Sequence, residues 1–274
     1  MSVPAAANGH ATRLPDIGPD VADDAAWSAA ARISLGHTDA RLDKRFDQDD
    51  GMDRILALRA RAVDHLLKDA WLRCIPEHAP MALFAVGGYG RGELFPQSDV
   101  DVLVLAGSDV QLAHHDAVAR FFATLWDAGL PISHSVRSAA ECTAAAAADQ
   151  TVLTALIEER LIVGEPVDEG LLIDAIGPAR VWPPRDFFVA KREELRLRHA
   201  RFGDTSENLE PNIKDGPGGL RDLHTLGWMA LRAFGVRELE PLIGLGHLGP
   251  DEAAALARER RALGRLRYGL HLVA

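Results

Sequence analysis

Apolar and polar positions change period several times along the chain, and each change marks an element. From about Asp49, Met52, Ile55, Leu58 or Arg59, Ala62, Val63, Leu66, Leu67 and Trp71 recur at three- and four-residue steps, which predicts a helix. Met81 to Val86 is an unbroken apolar run of strand length that stops at Gly87 and Gly88. Tyr89 to Leu94 read as a short helical turn, and Val100 to Leu105 as a second strand with Asp99 and Asp101 at its start. Helical spacing returns over Val110 to Ala128, turning Val118, Phe121, Phe122, Leu125 and Trp126 inward and ending at Gly129. Pro131 to Val136 is expected as a third strand. Ser138 and Glu141 form a capping-box pattern that opens an alanine-rich helix. A further helix is expected from Thr151 to Ile162, stopped by Gly164.

The Pro, Gly and Trp cluster at 177–184 places a boundary between an α/β part and a helical part. The expected organisation is a disordered leader over 1–25 without lasting period, a catalytic domain over 26–178 and a helical domain over 179–274. Within the latter, 185–201 holds six basic residues against three acidic ones. That run is either a solvated helix face or a clamp on a triphosphate or an acidic partner. A polar loop to Pro211 leads to Asn212-Ile-Lys-Asp-Gly-Pro-Gly-Gly and a helix over Leu220 to Phe234. This is either an ordinary helix entry or a second anion site. The last helix, from about Asp251, is still periodic at Leu263, Leu266 and Leu270 at Ala274. The expectation is a fragment of something longer, with an apolar patch if nothing earlier covers those leucines.

Composition narrows the class. A formal charge of −10 argues against whole-surface affinity for nucleic acid or anionic membrane. Two cysteines, Cys74 and Cys142, make no disulfide framework and lack metal-ligand spacing. No apolar run reaches transmembrane length, so a cytoplasmic chain with no membrane or nucleic-acid partner is expected.

The stretch 81–105 carries the chemistry. Gly87 and Gly88 let the backbone bend and approach a ligand without a Cβ between. On a strand, i and i+2 share a face, so Asp99 and Asp101 converge on one point while Val100, Val102 and Val104 enter the core. Paired carboxylates raise one another's pKa unless a cation intervenes, and Mg²⁺ commonly takes one or two carboxylates plus substrate phosphates. The alternative is a tight turn with two solvated aspartates. Other glycine-loop readings fail on one residue: Glu93 stands where a dinucleotide fingerprint needs glycine and where a P-loop needs lysine.

An apolar strand, Gly-Gly, a short gap and Asp-apolar-Asp resemble the signature of the DNA polymerase β-like nucleotidyltransferase superfamily. The fuller strings GGYGRGELFPQSDVDVLVL and EPNIKDGPGGLRDLHTLGW (210–228) are similar to a narrower family. That family is the bifunctional uridylyltransferase/uridylyl-removing enzymes that act on the nitrogen regulatory protein PII, matched in their N-terminal part. The resemblance covers most of 50–274. It implies an α+β fold: a polymerase β-like domain with a small mixed sheet and packed helices, followed by a helical domain. It implies transfer of UMP from UTP to a PII tyrosine with release of pyrophosphate. Asp99 and Asp101 would be catalytic and hold Mg²⁺, and Gly87, Gly88, Arg91, Lys214 and Arg221 would bind the nucleotide. Arg91 could equally pair with Glu93 or Asp99 as plain structure.

Many superfamily members carry a third carboxylate on a later strand, but PISHSV has none. His134 stands there as a base or as a structural residue, with Glu93 and Glu141 as further candidates. The resemblance also places uridylyl removal in an HD domain, and the glutamine response in ACT domains, beyond residue 274. The dipeptide His115-Asp116 is expected to be a solvated helix face. Two rivals remain: adenylyl transfer to glutamine synthetase or another protein, and a nucleotide-binding regulatory module without turnover.

Overall fold

The computed structural model describes residues 23–203 and 212–274. The expected leader falls almost wholly outside those residues, and the polar loop up to Pro211 does so in large part. Among the described residues, four strands form one sheet in the order β3-β2-β1-β4: β1 (Met81–Ala85), β2 (Val100–Ala106), β3 (Ile132–Arg137) and β4 (Arg160–Val163). β1 runs antiparallel to both β2 and β4, and β3 lies parallel to β2. The helices before and within the sheet region are α1 (Asp24–Asp47), α2 (Met52–Cys74), α3 (Gly87–Gly90), α4 (Ser108–Ala113), α5 (His115–Asp127), α6 (Ala139–Ala148), α7 (Gln150–Leu156) and α8 (Pro166–Ala175). After it come α9 (Pro184–Arg201), α10 (Leu220–Phe234), α11 (Pro241–Gly244) and α12 (Pro250–Val273). This is the α+β class that the strings implied.

Strand alternation divides the core in two. Val100, Val102 and Val104 meet Leu83, Ala85 and the apolar faces of α1, α2 and α5. Leu103 and Leu105 join Ala82 and Phe84 on the opposite face, under Cys142, Leu153, Leu172, Phe187 and Trp228. With helices on both sides, β1 and β2 are apolar at nearly every position. Asp99 and Asp101 share the parity of Leu103 and Leu105, so they belong to the second face. Phe187 and Trp228 come from the helical part yet sit in this cluster, so packing is continuous across residue 178.

Two expectations are corrected, and one helix is added. The helix expected over Thr151 to Ile162 ends at Leu156. The chain then turns at the buried Glu158 and Glu159 and returns as β4, closing the free edge of β1. The helix expected over Val110 to Ala128 is two, jointed at His114 (φ −115°, ψ 17°). α4 buries no residue, and the joint lets α5 lie down on the sheet with Phe121 and Leu125 inward while Trp126 stays 48 % exposed. Finally α1, unannounced by hydropathy, packs Trp27, Ala31 and Leu42 against the body. Both cysteines are free and buried, and His115 and Asp116 are solvent-exposed.

Candidate active site

The turn after β1 is made by glycines that do different things. Gly87 has φ +57°, and a Cβ there would stand 3.2 Å from Asp101 Oδ2. A Cβ at Gly88 would make only ordinary contacts, 3.6 Å from the Glu93 carbonyl oxygen and 3.7 Å from the Arg91 guanidinium. Gly90 is the sterically obligatory one: its Cβ would lie 2.0 Å from the carbonyl oxygen of Glu158. The buried Tyr89 donates its hydroxyl to Asp64 at 2.5 Å, and Arg160 donates to the same carboxylate at 2.8 Å. These bonds hold α3 so that the first-turn amides of Gly87, Gly88 and Tyr89, which have no intrahelical acceptor, stand beside the start of β2.

Seven side chains or glycines singled out from the sequence line one cavity of about 270 Å³: Gly87, Gly88, Arg91, Asp99, Asp101, Lys214 and Arg221. On its sheet wall, Asp99 is exposed and Asp101 half-buried. Burial pushes the Asp101 carboxyl up, and the Asp99 carboxylate adds to this, against the Ser133 hydroxyl and the more distant Lys214 and Arg91. Two carboxylates on one strand face, one of them destabilised as an anion, are a donor set that suits a hard divalent cation. Among the described residues no cluster of three His, Cys, Asp or Glu side chains could hold a metal. An ion here would therefore take its remaining oxygens from phosphate or water.

The facing wall is cationic. Asn212 Oδ1 accepts from the backbone N–H of Lys214 and Asp215 at 3.0 and 2.8 Å, folding 212–219 into a tight loop. Gly216 and Gly219 are needed there, because a Cβ on either would lie 2.7 Å from a carbonyl oxygen. The loop carries Lys214 into the cavity, where no carboxylate among the described residues pairs with it. Burial and the positive charges of Arg221 and Arg267 push its ammonium down. Arg221 is held by Asp215 at 3.2 Å. Arg267, from α12, stacks over Phe95 at 4.2 Å and donates to Ser98 at 3.3 Å. Nothing local in the sequence marks Arg267, and the same is true of Thr151 and Thr154, which also line the cavity.

Several expectations resolve differently. The amides at the start of α10 are not an open anion site. Gly218 donates to Asp222 and Gly219 to Gly216, while Leu220 and Arg221 donate to the carbonyls of Ile213 and Lys214. Arg91 reaches the cavity but is clamped by Glu93 at 3.0 Å and by Glu158, the structural alternative with one carboxylate more. His134 lies away from the site, stacked 4.0 Å from Phe122. Glu141 closes the N-terminus of α6 in the expected capping box. Glu93 is held ionised by Arg91, His224 and Arg260 despite burial. None of these three is free to take a proton from a nucleophile. Of the basic run on α9, Arg185, Arg192, Arg196 and Arg201 are exposed, whereas Lys191 and Arg198 turn inward to Glu194 and Asp222.

Comparison with known proteins agrees with this architecture. The family described as a nucleotidyltransferase domain matches residues 69–162, and the family described as GlnD PII-uridylyltransferase matches 186–274. A bifunctional uridylyltransferase/uridylyl-removing enzyme of Xanthomonas axonopodis pv. citri is 67 % identical over 256 residues, covering 93 % of this chain and 29 % of its own length. The Xanthomonas campestris pv. campestris enzyme of the same name is 68 % identical over the same shares. That of Pseudomonas aeruginosa is 45 % identical over 85 % of the chain and 26 % of its own length. The chain thus spans under a third of the length of these relatives. Among the described residues, no helix is long and apolar enough to cross a membrane.

Proposed function

We propose, for a chain whose parts belong to the nucleotidyltransferase and PII-uridylyltransferase families, that the 270 Å³ cavity transfers UMP from UTP to a tyrosine of protein PII. One observation carries the reading: the cavity holds opposed electrostatic strains. Asp101 is crowded by Asp99 and would be relieved by a cation, while Lys214 is crowded by Arg221 and Arg267 and would be relieved by an anion. A magnesium–triphosphate complex answers both at once.

In the reaction the tyrosine hydroxyl loses its proton to solvent, its oxygen forms a bond to the α-phosphorus, and the bond from that phosphorus to the bridging oxygen breaks. Pyrophosphate leaves with the electron pair and the added charge. Mg²⁺, when bound, neutralises phosphate charge and fixes the triphosphate's orientation. Asp99 and Asp101 would hold it. The amides of Gly87 and Gly88 and the cations Lys214, Arg221 and Arg267 would receive the charge that grows on the leaving group. Arg91, locked by Glu93 and Glu158, would shape the back wall and contribute only the field of a neutralised pair.

Incubation with labelled UTP or labelled ATP, Mg²⁺ and purified PII tests the proposal. Label from UTP should appear on PII with stoichiometric pyrophosphate. Transfer from ATP instead would make the chain an adenylyltransferase. Binding of UTP without pyrophosphate release in the presence of PII would make it a regulatory module.

A further inference from the structure

A second cavity, of about 500 Å³, lies behind the first. Arg91, Glu93, Glu158, His224 and Trp228 line both, and they form a bonded partition. His224 Nε2 lies 3.0 Å from Glu93 and 3.3 Å from Arg91, which also pairs with Glu158, and Trp228 Nε1 donates to Glu158. Asp99, Asp101 and Lys214 do not reach this second space.

Its charges do not cancel. Each of its four arginines is already held by carboxylate: Arg91 as above, Arg160 by Asp64, Arg237 by Glu159, and Arg260 by Asp53 and Glu93. Glu169, Glu238 and Glu240 also line it, and no ion pair among the described residues engages them. Glu159 is 3 % exposed, and while its Oε1 accepts from Arg237, its Oε2 has no hydrogen-bond partner among the described residues. Burial, with Glu169 alongside, pushes the Glu159 carboxyl up even against Arg237. A buried carboxylate oxygen without a donor is unfavourable, and a charged N–H group is its strongest partner. The lining also has an apolar part, with Ile157, Leu223, Leu231 and Leu256.

We infer that this cavity is a binding site for a small organic cation, an amidinium, guanidinium or ammonium group on an apolar body, with its charged end at Glu159 and Glu169. A planar amidinium offers two parallel N–H groups to a carboxylate, and the apolar body covers the leucines. The site is separate from the nucleotide cavity, and the inference stands whether or not the proposed transfer is correct.

Calorimetric titration of the purified chain with benzamidine, and with neutral, isosteric benzamide, tests it. One benzamidine should bind per chain, with benzamide at least tenfold weaker. Glu159→Gln and Glu169→Gln should each weaken benzamidine tenfold or more, while Asp101→Asn should leave it unchanged. Glu169 is on the half-exposed α8, so its variant carries the test even if Glu159→Gln folds poorly by circular dichroism. No benzamidine binding, equal binding of benzamide, undiminished binding in Glu169→Gln, or loss in Asp101→Asn would each overturn the inference.

Discussion

Asp101 is destabilised as an anion by burial and by Asp99, which makes it a place where function and stability pull apart. Asp101→Asn keeps the shape and removes the charge. Without ligand the variant should melt a few degrees higher, while transfer falls by roughly 10²–10⁴-fold, the scale of several kcal/mol of lost metal-assisted stabilisation. A variant within tenfold of wild type in activity would end the metal assignment. The partition residues predict a pH effect. His224 is kept neutral by burial and by Arg91, so the unfolded chain takes up a proton that the folded one refuses as pH drops below about 6.5. Glu93 has its carboxyl held well below the usual range. Its contribution is full above about 4.3 and drains as pH falls through the folded value. Both terms cost stability on acidification. Urea midpoints from pH 7.5 to 4 should decline, and His224→Gln should decline less between 7 and 5; identical slopes would refute the assignment. That Asp99, Asp101 and the two glycines meet at one cavity was legible in the sequence because strand parity and missing Cβ atoms are local facts. Gly90 was not, because its reason is the carbonyl of Glu158, brought against it only by the fold.

Elements were legible where the buried face is written in aliphatic and aromatic side chains. α2 and α10 show this, as do the unbroken strands β1 and β2. α1 escaped because its inward stripe is Trp27, Ala31, Ser34, Thr38 and Leu42, where small and hydroxyl residues do the work of leucines. Its helical spacing exists, but hydropathy does not mark it. β4 escaped for the opposite reason. Arg160 to Val163 is a four-residue apolar-rich piece behind a helix, and only pairing with Phe84 and Ala85 decides its state. α1 is fastened at its N-terminal end: Asp23 accepts from Ala26 N–H at 2.7 Å, and Asp24 binds Arg73 of α2 and Arg120 of α5. Asp23→Ala should cost about 1 kcal/mol of unfolding free energy, a normal N-cap loss. Chemical denaturation checks this, and an unchanged midpoint would show that tertiary packing alone positions the helix start.

At the scale of the whole molecule, the site exists only because two parts of the chain are laid together. The sheet region supplies the carboxylate wall, and the helical part supplies Lys214, Arg221 and Arg267. Phe187 and Trp228, buried among sheet residues, hold the two walls at their separation. No periodicity in the sequence could place Arg267 opposite Asp101; the apolar packing of Tyr268 near Met52 and Phe95 does so. This yields the strongest test of the arrangement. Lys214→Met and Arg267→Met keep the aliphatic stems that pack in the wall and remove only charge. Each should weaken UTP about tenfold, on the scale of a charge-assisted contact in a partly buried site, and each should flatten the salt dependence of binding. Neither should lower the melting temperature appreciably, since burial makes the charged form of both side chains unfavourable in the fold, and removing that charge removes the cost. Equilibrium binding of UTP with Mg²⁺ at several salt concentrations, beside thermal melts, separates these effects. If both variants bind as wild type does, the cationic wall is structural and the triphosphate must lie elsewhere. If they lose affinity only along with their fold, the wall is part of the core instead.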